Sequence, residues 1–373
     1  MRIGINAHLL SGIPGYRRAG IHQYIAHVLQ ALPAAAPRPA YLVYTQDRET
    51  LAGSAHLQLR PSRWPTERRA VRILWEQLAW PLLARRAGVD LLHSMAFVTP
   101  VVSEIPAVVT VFDLSFMHYP ESFPPLQRLY LQRQTRRSCR AARRVITISE
   151  SSRQDVHRLF GVPLARIDVV TPGVGAAYRP LPAAEVAAFR QRAGLPARFV
   201  LHVGTLQPRK NIPMLLEAMA QMPGDVPLLL VGGKGWLYDE IFARVAALGL
   251  QARVHFAGYV ADADLPLWYN AASLLVFPSV YEGFGLPVVE ALACGTPVVA
   301  ANTSSIPEAA GDAGLLVDPH DAAGLARQMT AVLQDATLAA ALRAKGPRQA
   351  ARFSWARAGR ETAAVYRRAL TQR

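Results

Sequence analysis

What this chain can fold into is limited most by its rhythm of short, unbroken apolar runs. In the first half these are Ile3-Gly4-Ile5, Tyr41-Leu42-Val43-Tyr44, Asp90-Leu91-Leu92-His93, Val108-Val109-Thr110-Val111 and Val145-Ile146-Thr147-Ile148. In the second half they are Phe199-Val200-Leu201-His202-Val203, Leu228-Leu229-Leu230-Val231, Val254-His255-Phe256, Leu274-Leu275-Val276-Phe277, Val298-Val299-Ala300 and Leu315-Leu316-Val317. A strand with one wet face alternates apolar and polar residues, whereas a continuous Val/Ile/Leu run reads as a strand buried on both faces. Helix-compatible segments separate the runs, and that alternation builds parallel sheets covered by helices. The expected fold class is α/β, a doubly wound parallel sheet formed twice over.

A length of 373 residues is long for one domain and comfortable for two. The segment from Thr171 to Pro182 holds Pro172, Gly173, Gly175, Pro180 and Pro182, which reads as a punctuated linker. We therefore expect one domain over 1–175 and a second over 176–354. A last helix, Trp355 to Leu370, has no strand after it.

Composition narrows the partners. The formal net charge is +15, which calls for an anionic ligand or surface. Cys139 and Cys294 form neither a metal-ligand spacing nor a disulfide framework, so a reducing, cytoplasmic setting is expected. No basic segment followed by an apolar stretch opens the chain, so no secretory leader is expected. The longest uncharged stretch, Leu265 to Tyr281, is broken by prolines and polar residues, which argues against a membrane span. Arg128, Arg133, Arg136, Arg137, Arg140, Arg143 and Arg144 crowd one segment with Leu126, Leu129, Tyr130 and Leu131. That pattern lacks the aromatic interleaving of a nucleic-acid surface, so no nucleic-acid partner is expected. It suits peripheral contact with anionic lipid headgroups, or a solvated helix face.

The densest chemistry lies in Tyr281-Glu282-Gly283-Phe284-Gly285-Leu286-Pro287-Val288-Val289-Glu290. Glu282 falls on a strand-to-helix loop and Glu290 about one turn into a helix that Pro287 opens. Small residues between them let backbone N–H groups reach a ligand, and a helix N-terminus favours an anion. Carboxylates for hydroxyls beside an anion-seeking helix end suggest a nucleotide sugar. In Leu206-Gln207-Pro208-Arg209-Lys210-Asn211, Arg209 and Lys210 follow another strand, where Asn211 is a candidate N-cap. They offer a fork and a point charge for phosphate, or are two solvated cations.

Other segments admit bland readings. The glycines between Ser11 and Ile21 could cradle a pyrophosphate, line an acceptor cleft or form a flexible turn. Gly232-Gly233-Lys234-Gly235 lacks the P-loop spacing and reads as a turn. Asp262 and Asp264 precede a helix beginning near Leu265, where capping explains them, and no metal site is expected. Asp113 could orient a substrate hydroxyl or cap the next turn, with His118 close by in sequence.

Together these segments resemble the retaining glycosyltransferases of family 4, which have the GT-B fold. The resemblance is densest in Phe277 to Pro287 and Glu290 to Val299. It extends through Val203-Gly204-Thr205, Arg209-Lys210-Asn211, Gly258-Tyr259-Val260, Ser149 to Ser152 and Pro172-Gly173-Val174. It implies two Rossmann-like domains facing a cleft, an acceptor-side first domain joined by the final helix 355–373, and a donor-binding second domain. It implies that Glu282 holds sugar hydroxyls, Glu290 ribose hydroxyls, and Arg209 and Lys210 the diphosphate. Backbone groups of Gly283, Phe284, Gly285 and Leu286 would meet sugar and phosphate, and those of Tyr259 and Val260 the base. Gly204 and the N-terminal loop glycine Gly20 complete the donor set, and Asp113 joins the catalytic one.

Where the family often has a His-Asp pair, this chain has Phe112-Asp113, with His118 a possible substitute. No cofactor beyond the nucleotide diphosphate sugar is implied. The expected activity is hexose transfer, mannose-type donors favoured, to a glycan or lipid-linked acceptor in bacterial surface-polysaccharide synthesis. A nucleotide-sugar epimerase and a non-catalytic nucleotide-sugar or glycan-binding protein are the alternatives.

Overall fold

The computed structural model describes residues 1–10, 20–35, 39–62, 64–233 and 239–371. The chain divides into two compact units, Met1–Gly173 with Trp355–Arg373, and Val174–Ser354. The first boundary thus falls two residues before the expected one.

Unit 1 is built on β1 (Arg2–Asn6), β2 (Ala40–Thr45), β3 (Leu57–Pro61), β4 (Leu91–Ser94), β5 (Ala107–Val111), β6 (Arg144–Thr147) and β7 (Ile167–Val169). All pairings are parallel, in the order β3-β2-β1-β4-β5-β6-β7. Unit 2 is built on β8 (Val200–Val203), β9 (Leu228–Val231), β10 (Val254–Gly258), β11 (Leu274–Phe277), β12 (Val298–Ala301) and β13 (Gly314–Val317). Its order is β10-β9-β8-β11-β12-β13, again parallel. The continuous apolar runs form the central strands, as both-face burial requires, and also β10 and β13, the two edges of the unit 2 sheet. The two strands the pattern did not announce, β3 and β7, are sheet edges. One carries Gln58, Arg60 and Pro61 and the other Asp168, because an edge strand has no second neighbour to bury it.

Each sheet reverses direction once, between β1 and β4 in unit 1 and between β8 and β11 in unit 2. In open α/β sheets, ligands bind beyond the carboxyl ends of the strands at such a reversal.

The helix Trp355–Thr371 belongs to unit 1 and packs on Ile21–Ala35. The approach is close: a Cβ on Gly359 would lie 2.7 Å from Ala31 Cβ. Tyr366 Oη is hydrogen-bonded to His93 Nδ1 at 2.7 Å inside the core, and Thr110 Oγ1 takes the other ring nitrogen at 2.9 Å. In unit 2, Leu215, Leu216, Met219, Leu230, Val276 and Met329 centre one apolar cluster.

Several local expectations change. The arginine-rich helix spans Pro125–Ala141, so Arg143 and Arg144 are not on it. Arg144 lies in β6 and grips both oxygens of Asp168 at 2.7 Å, and Arg143 Nη1 donates to Ala369 O. Asp264 stands at the N-cap of Leu265–Ala271 but accepts no capping bond there. Asn211 stands before Ile212–Gln221 with φ +56°, and its Nδ2 donates instead to Pro278 O and Pro319 O, so it ties two loops rather than capping. Residues 11–19 of the glycine-bearing loop, and Lys234 and Gly235, lie outside the described residues.

Candidate functional site

The unit 2 reversal gathers the residues singled out by sequence. The turn after β8 presents Arg209 and Lys210, and the turn after β11 presents Glu282. The turns are joined by backbone, since Val280 N donates to Arg209 O at 2.9 Å. Lys210 Nζ donates to Glu282 Oε1 at 2.5 Å, and Arg209 Nη1 donates to Glu282 Oε2 at 2.6 Å and to Tyr281 O at 3.1 Å. Glu282 and Lys210 are buried; Arg209 is half-buried. Burial opposes the Glu282 charge, but the fields and hydrogen bonds of Arg209 and Lys210 more than offset it and hold the pKa at about 2. Each carboxylate oxygen accepts one charged bond and keeps a lone pair for a further donor such as a sugar hydroxyl.

The loop after β12 fixes the backbone on both sides of this carboxylate. Glu282 N donates to Ser304 Oγ at 3.0 Å, and Ser305 Oγ donates to Glu282 O at 2.8 Å. These serines had no sequence signal, because their role is to bind backbone. Beneath the cluster, Lys210 Nζ lies 4.9 Å from the Phe277 ring centroid. Gly204 leaves little room there, since a Cβ would be 3.3 Å from Lys210 Cε. His202, also unmarked by sequence, is fully buried with its Nδ1 on Val276 O at 3.0 Å. Burial first, then the Lys210 charge, push its pKa down to about 4.

Gly283, Phe284 and Gly285 are buried and lead into the helix Leu286–Ala293, with Gly285 at φ +102°. The Phe284 ring packs edge-on against Phe353, so only its backbone suits ligand contact. Glu290 sits in different surroundings. Tyr269 Oη donates to its Oε2 at 2.8 Å, and Tyr178 lies beside Tyr269 with ring centroids 6.0 Å apart. Burial, helped by the Asp262 charge, raises the Glu290 pKa to about 7 although both tyrosines hydrogen-bond to it. The two glutamates of one motif are thus held in opposite electrostatic states. Gly258 ends β10 at φ +73°, Tyr259 is exposed and Val260 half-buried.

The unit 1 candidates have structural partners. Asp113 Oδ1 accepts from Ser115 N at 2.8 Å, the capping alternative. His118 Nε2 is paired with Asp155 Oδ2 at 3.0 Å. Phe112 is core, edge-on to Tyr24, and Gly20 has φ +50°.

Residues 186–349 match the glycosyl transferases group 1 family and residues 18–178 the Glycosyltransferase Family 4 family. The O-antigen chain mannosyltransferase B of Escherichia coli is 37% identical over 266 residues, covering 70% of each chain. The chain belongs to the family 4, group 1 glycosyltransferases. A D-inositol 3-phosphate glycosyltransferase of Kineococcus radiotolerans is 33% identical over 321 residues, covering 80% of this chain and 70% of that one. The solved sucrose-phosphate synthase of Thermosynechococcus elongatus superposes with a TM-score of 0.76 at 25% identity, covering 98% of both chains. The fold of this glycosyltransferase is GT-B.

Proposed function

We propose that this glycosyltransferase moves a hexose, of mannose type, from a nucleotide diphosphate sugar to an acceptor hydroxyl on a lipid-linked glycan, with retention and without a metal ion. The observation that carries the reading is the Glu282 carboxylate held between Arg209 and Lys210 at the unit 2 reversal. A diphosphate arriving there shares the two cations. As the anomeric bond breaks, charge grows on the leaving oxygen, and cations already in place stabilise it without reorganisation. The lone pairs left on Glu282 accept sugar hydroxyls, and Glu290 accepts those of the ribose. The acceptor oxygen attacks on the face the diphosphate leaves, and the departing phosphate oxygen takes its proton. The mannose donor and glycan acceptor draw support from the relative named as an O-antigen chain mannosyltransferase.

A thermal-shift panel of GDP-, UDP-, TDP- and ADP-sugars tests the donor, since a ligand of the native state raises its melting point. Transfer from the stabilising donor, run in chelator and followed by NMR of the product anomer, tests metal use and retention. Donor turnover without acceptor would instead mark an epimerase, and binding without turnover a carrier.

Peripheral contact with the cytoplasmic membrane face belongs to the same reading. Arg133, Arg136, Arg137 and Arg140 are exposed on the helix Pro125–Ala141, together with Leu126 and Leu129. Leu74, Leu78 and Leu82 are exposed on the run from Arg69 to Arg86. Co-sedimentation with anionic but not neutral vesicles is the expected result.

A further inference from the structure

Arg190, Arg198 and Arg343 belong to no motif, yet unit 2 gathers them around one cavity of about 320 Å³, with Ser273, Leu333 and Ala336 also in its wall. That volume is within the range of small-ligand sites. The cavity lies at the amino ends of β8 and β11. Phe199 and Ser273 stand just before those strands and are joined there, Ser273 N donating to Phe199 O at 2.9 Å. The Arg209 and Glu282 turns follow the carboxyl ends of the same two strands, so a strand length of four residues, about 13 Å, separates the two places.

Part of what each arginine does is structural. Arg190 Nη2 donates at 2.6 Å to Ala271 O, which ends the helix Leu265–Ala271. Arg198 Nη2 donates to Leu333 O in the last turn of Ala322–Gln334. Arg343 reaches Gly295 O and Ser273 O, both at 3.5 Å. Cations are favoured at helix C-termini, and these bonds place them there. A guanidinium has five N–H donors, however, and the bonds to carbonyls use one or two of them. Among the described residues no ion pair reaches any of the three; those of unit 2 join other side chains. Asp335, next to Ala336, has its Oδ1 on Thr337 N and Leu338 N at 2.8 and 3.0 Å. Arg190 Nε is buried with no hydrogen-bond partner among the described residues. Burial first, then the Arg190 charge, lower the Arg343 pKa, so the two cations repel each other through partly desolvated space. Arg190 is half-buried and Arg198 and Arg343 are exposed, which leaves the cavity open to solvent.

An anion that bridges such cations removes their repulsion and takes up their remaining donors. One phosphate group brings about −1.5 to −2 near neutral pH, so two are needed to balance three guanidinium groups. We infer that this cavity binds the diphosphate group of a small soluble ligand. Arg190, Arg198 and Arg343 pair with the phosphate oxygens, and Leu333 and Ala336 lie against what the diphosphate carries. The site and the transfer reading are independent, and either stands if the other fails.

Calorimetric titration of the full chain with inorganic pyrophosphate tests it, with inorganic phosphate as the single-group control. Pyrophosphate should bind about tenfold more tightly than phosphate, the worth of one further charge-assisted hydrogen bond. Arg198→Gln and Arg343→Gln change exposed side chains, so they should fold normally and each weaken pyrophosphate about tenfold. Ala336→Glu sets a carboxylate at the cavity wall, in the first turn of a helix where acidic residues are favoured. It should raise the melting point and abolish the binding, while Ala336→Gln, equal in size but uncharged, should retain it. Arg209→Gln should remove at most a second pyrophosphate, held at the turn after β8. Unchanged pyrophosphate binding in Arg198→Gln, Arg343→Gln and Ala336→Glu would overturn the inference and leave the arginines as helix-end caps. No binding of pyrophosphate by the wild type, or equal affinity for phosphate, would overturn it as well.

Discussion

Glu282 and Glu290 are separated by one loop and the first turn of a helix, yet the protein treats them oppositely. Glu282 has two cations on it, and a buried pair that loses one member leaves the other charge uncompensated. We expect Glu282→Gln to destabilise the fold by about 3–5 kcal/mol, and Lys210→Met by a similar amount. In a denaturant-unfolding cycle the double variant should cost less than the sum of the two, because the charges leave together. The pH sign follows from the direction of the shift. A carboxyl whose folded pKa of about 2 lies below its ordinary 4.5 contributes stability above that value and loses it as pH falls from about 5 toward 2.

Glu290 has the reverse direction, since its pKa of about 7 lies above the ordinary value. In the proposed role of accepting ribose hydroxyls it would work ionised. Nucleotide-sugar affinity, measured by calorimetry, should therefore weaken severalfold between pH 8 and pH 6 with a midpoint near 7. Asp262, Cys294, Tyr178 and Tyr269 share its surroundings. Tyr269→Phe removes a donor to the carboxylate, so the midpoint should rise, and an unmoved midpoint would show that another group titrates. The positions of both glutamates were legible in the sequence. Their opposite electrostatics were not, because Tyr178, Asp262 and Tyr269 lie far along the chain from Glu290.

At the scale of elements, the turn after β9 shows how tightly the sheet ends are built. Gly232 has φ +149°, and a Cβ there would lie 2.0 Å from Gly204 O, the backbone of the loop leading to Arg209. Gly232→Ala should cost about 3 kcal/mol or more in chemical denaturation, as backbone overlap and an unfavourable φ combine. It should also weaken donor binding by displacing the Arg209 turn. A glycine-rich motif read as a mere turn is thus a packing requirement of the site. The central strands were readable because burial on both faces leaves an unbroken apolar run. The edges β3 and β7 were not, since Gln58, Arg60 and Asp168 interrupt their apolar pattern, whereas the unit 2 edges β10 and β13 kept an apolar run and were legible. Asn211 looked like a cap by residue type, but its left-handed backbone sends the side chain to Pro278 and Pro319 instead.

For the whole molecule, the decisive connection is the return of the last helix to unit 1. Trp355–Thr371 covers Ile21–Ala35 and supplies Tyr366 to the buried His93. Removing residues 355–373 strips that cover and leaves His93 Nδ1 unpaired inside the core. Calorimetry should then show loss of the unit 1 transition, while unit 2, which has its own core and keeps Arg209, Lys210, Glu282 and Glu290, still responds to the nucleotide sugar. Loss of both responses would mean that unit 2 cannot stand without its neighbour.

By itself the sequence determined two parallel α/β sheets, a linker between Thr171 and Pro182, and the segments that carry chemistry. Periodicity, glycine and proline placement and charge are local properties, and local properties survive in one dimension. Only the tertiary structure decided that Glu282 is clamped by two cations while Glu290 is raised by burial, that Asp113 and His118 are occupied in unit 1, and that Arg190, Arg198 and Arg343 line one cavity. Those outcomes depend on which distant side chains share a desolvated space, and the range of a charge or a hydrogen bond is measured through space rather than along the chain.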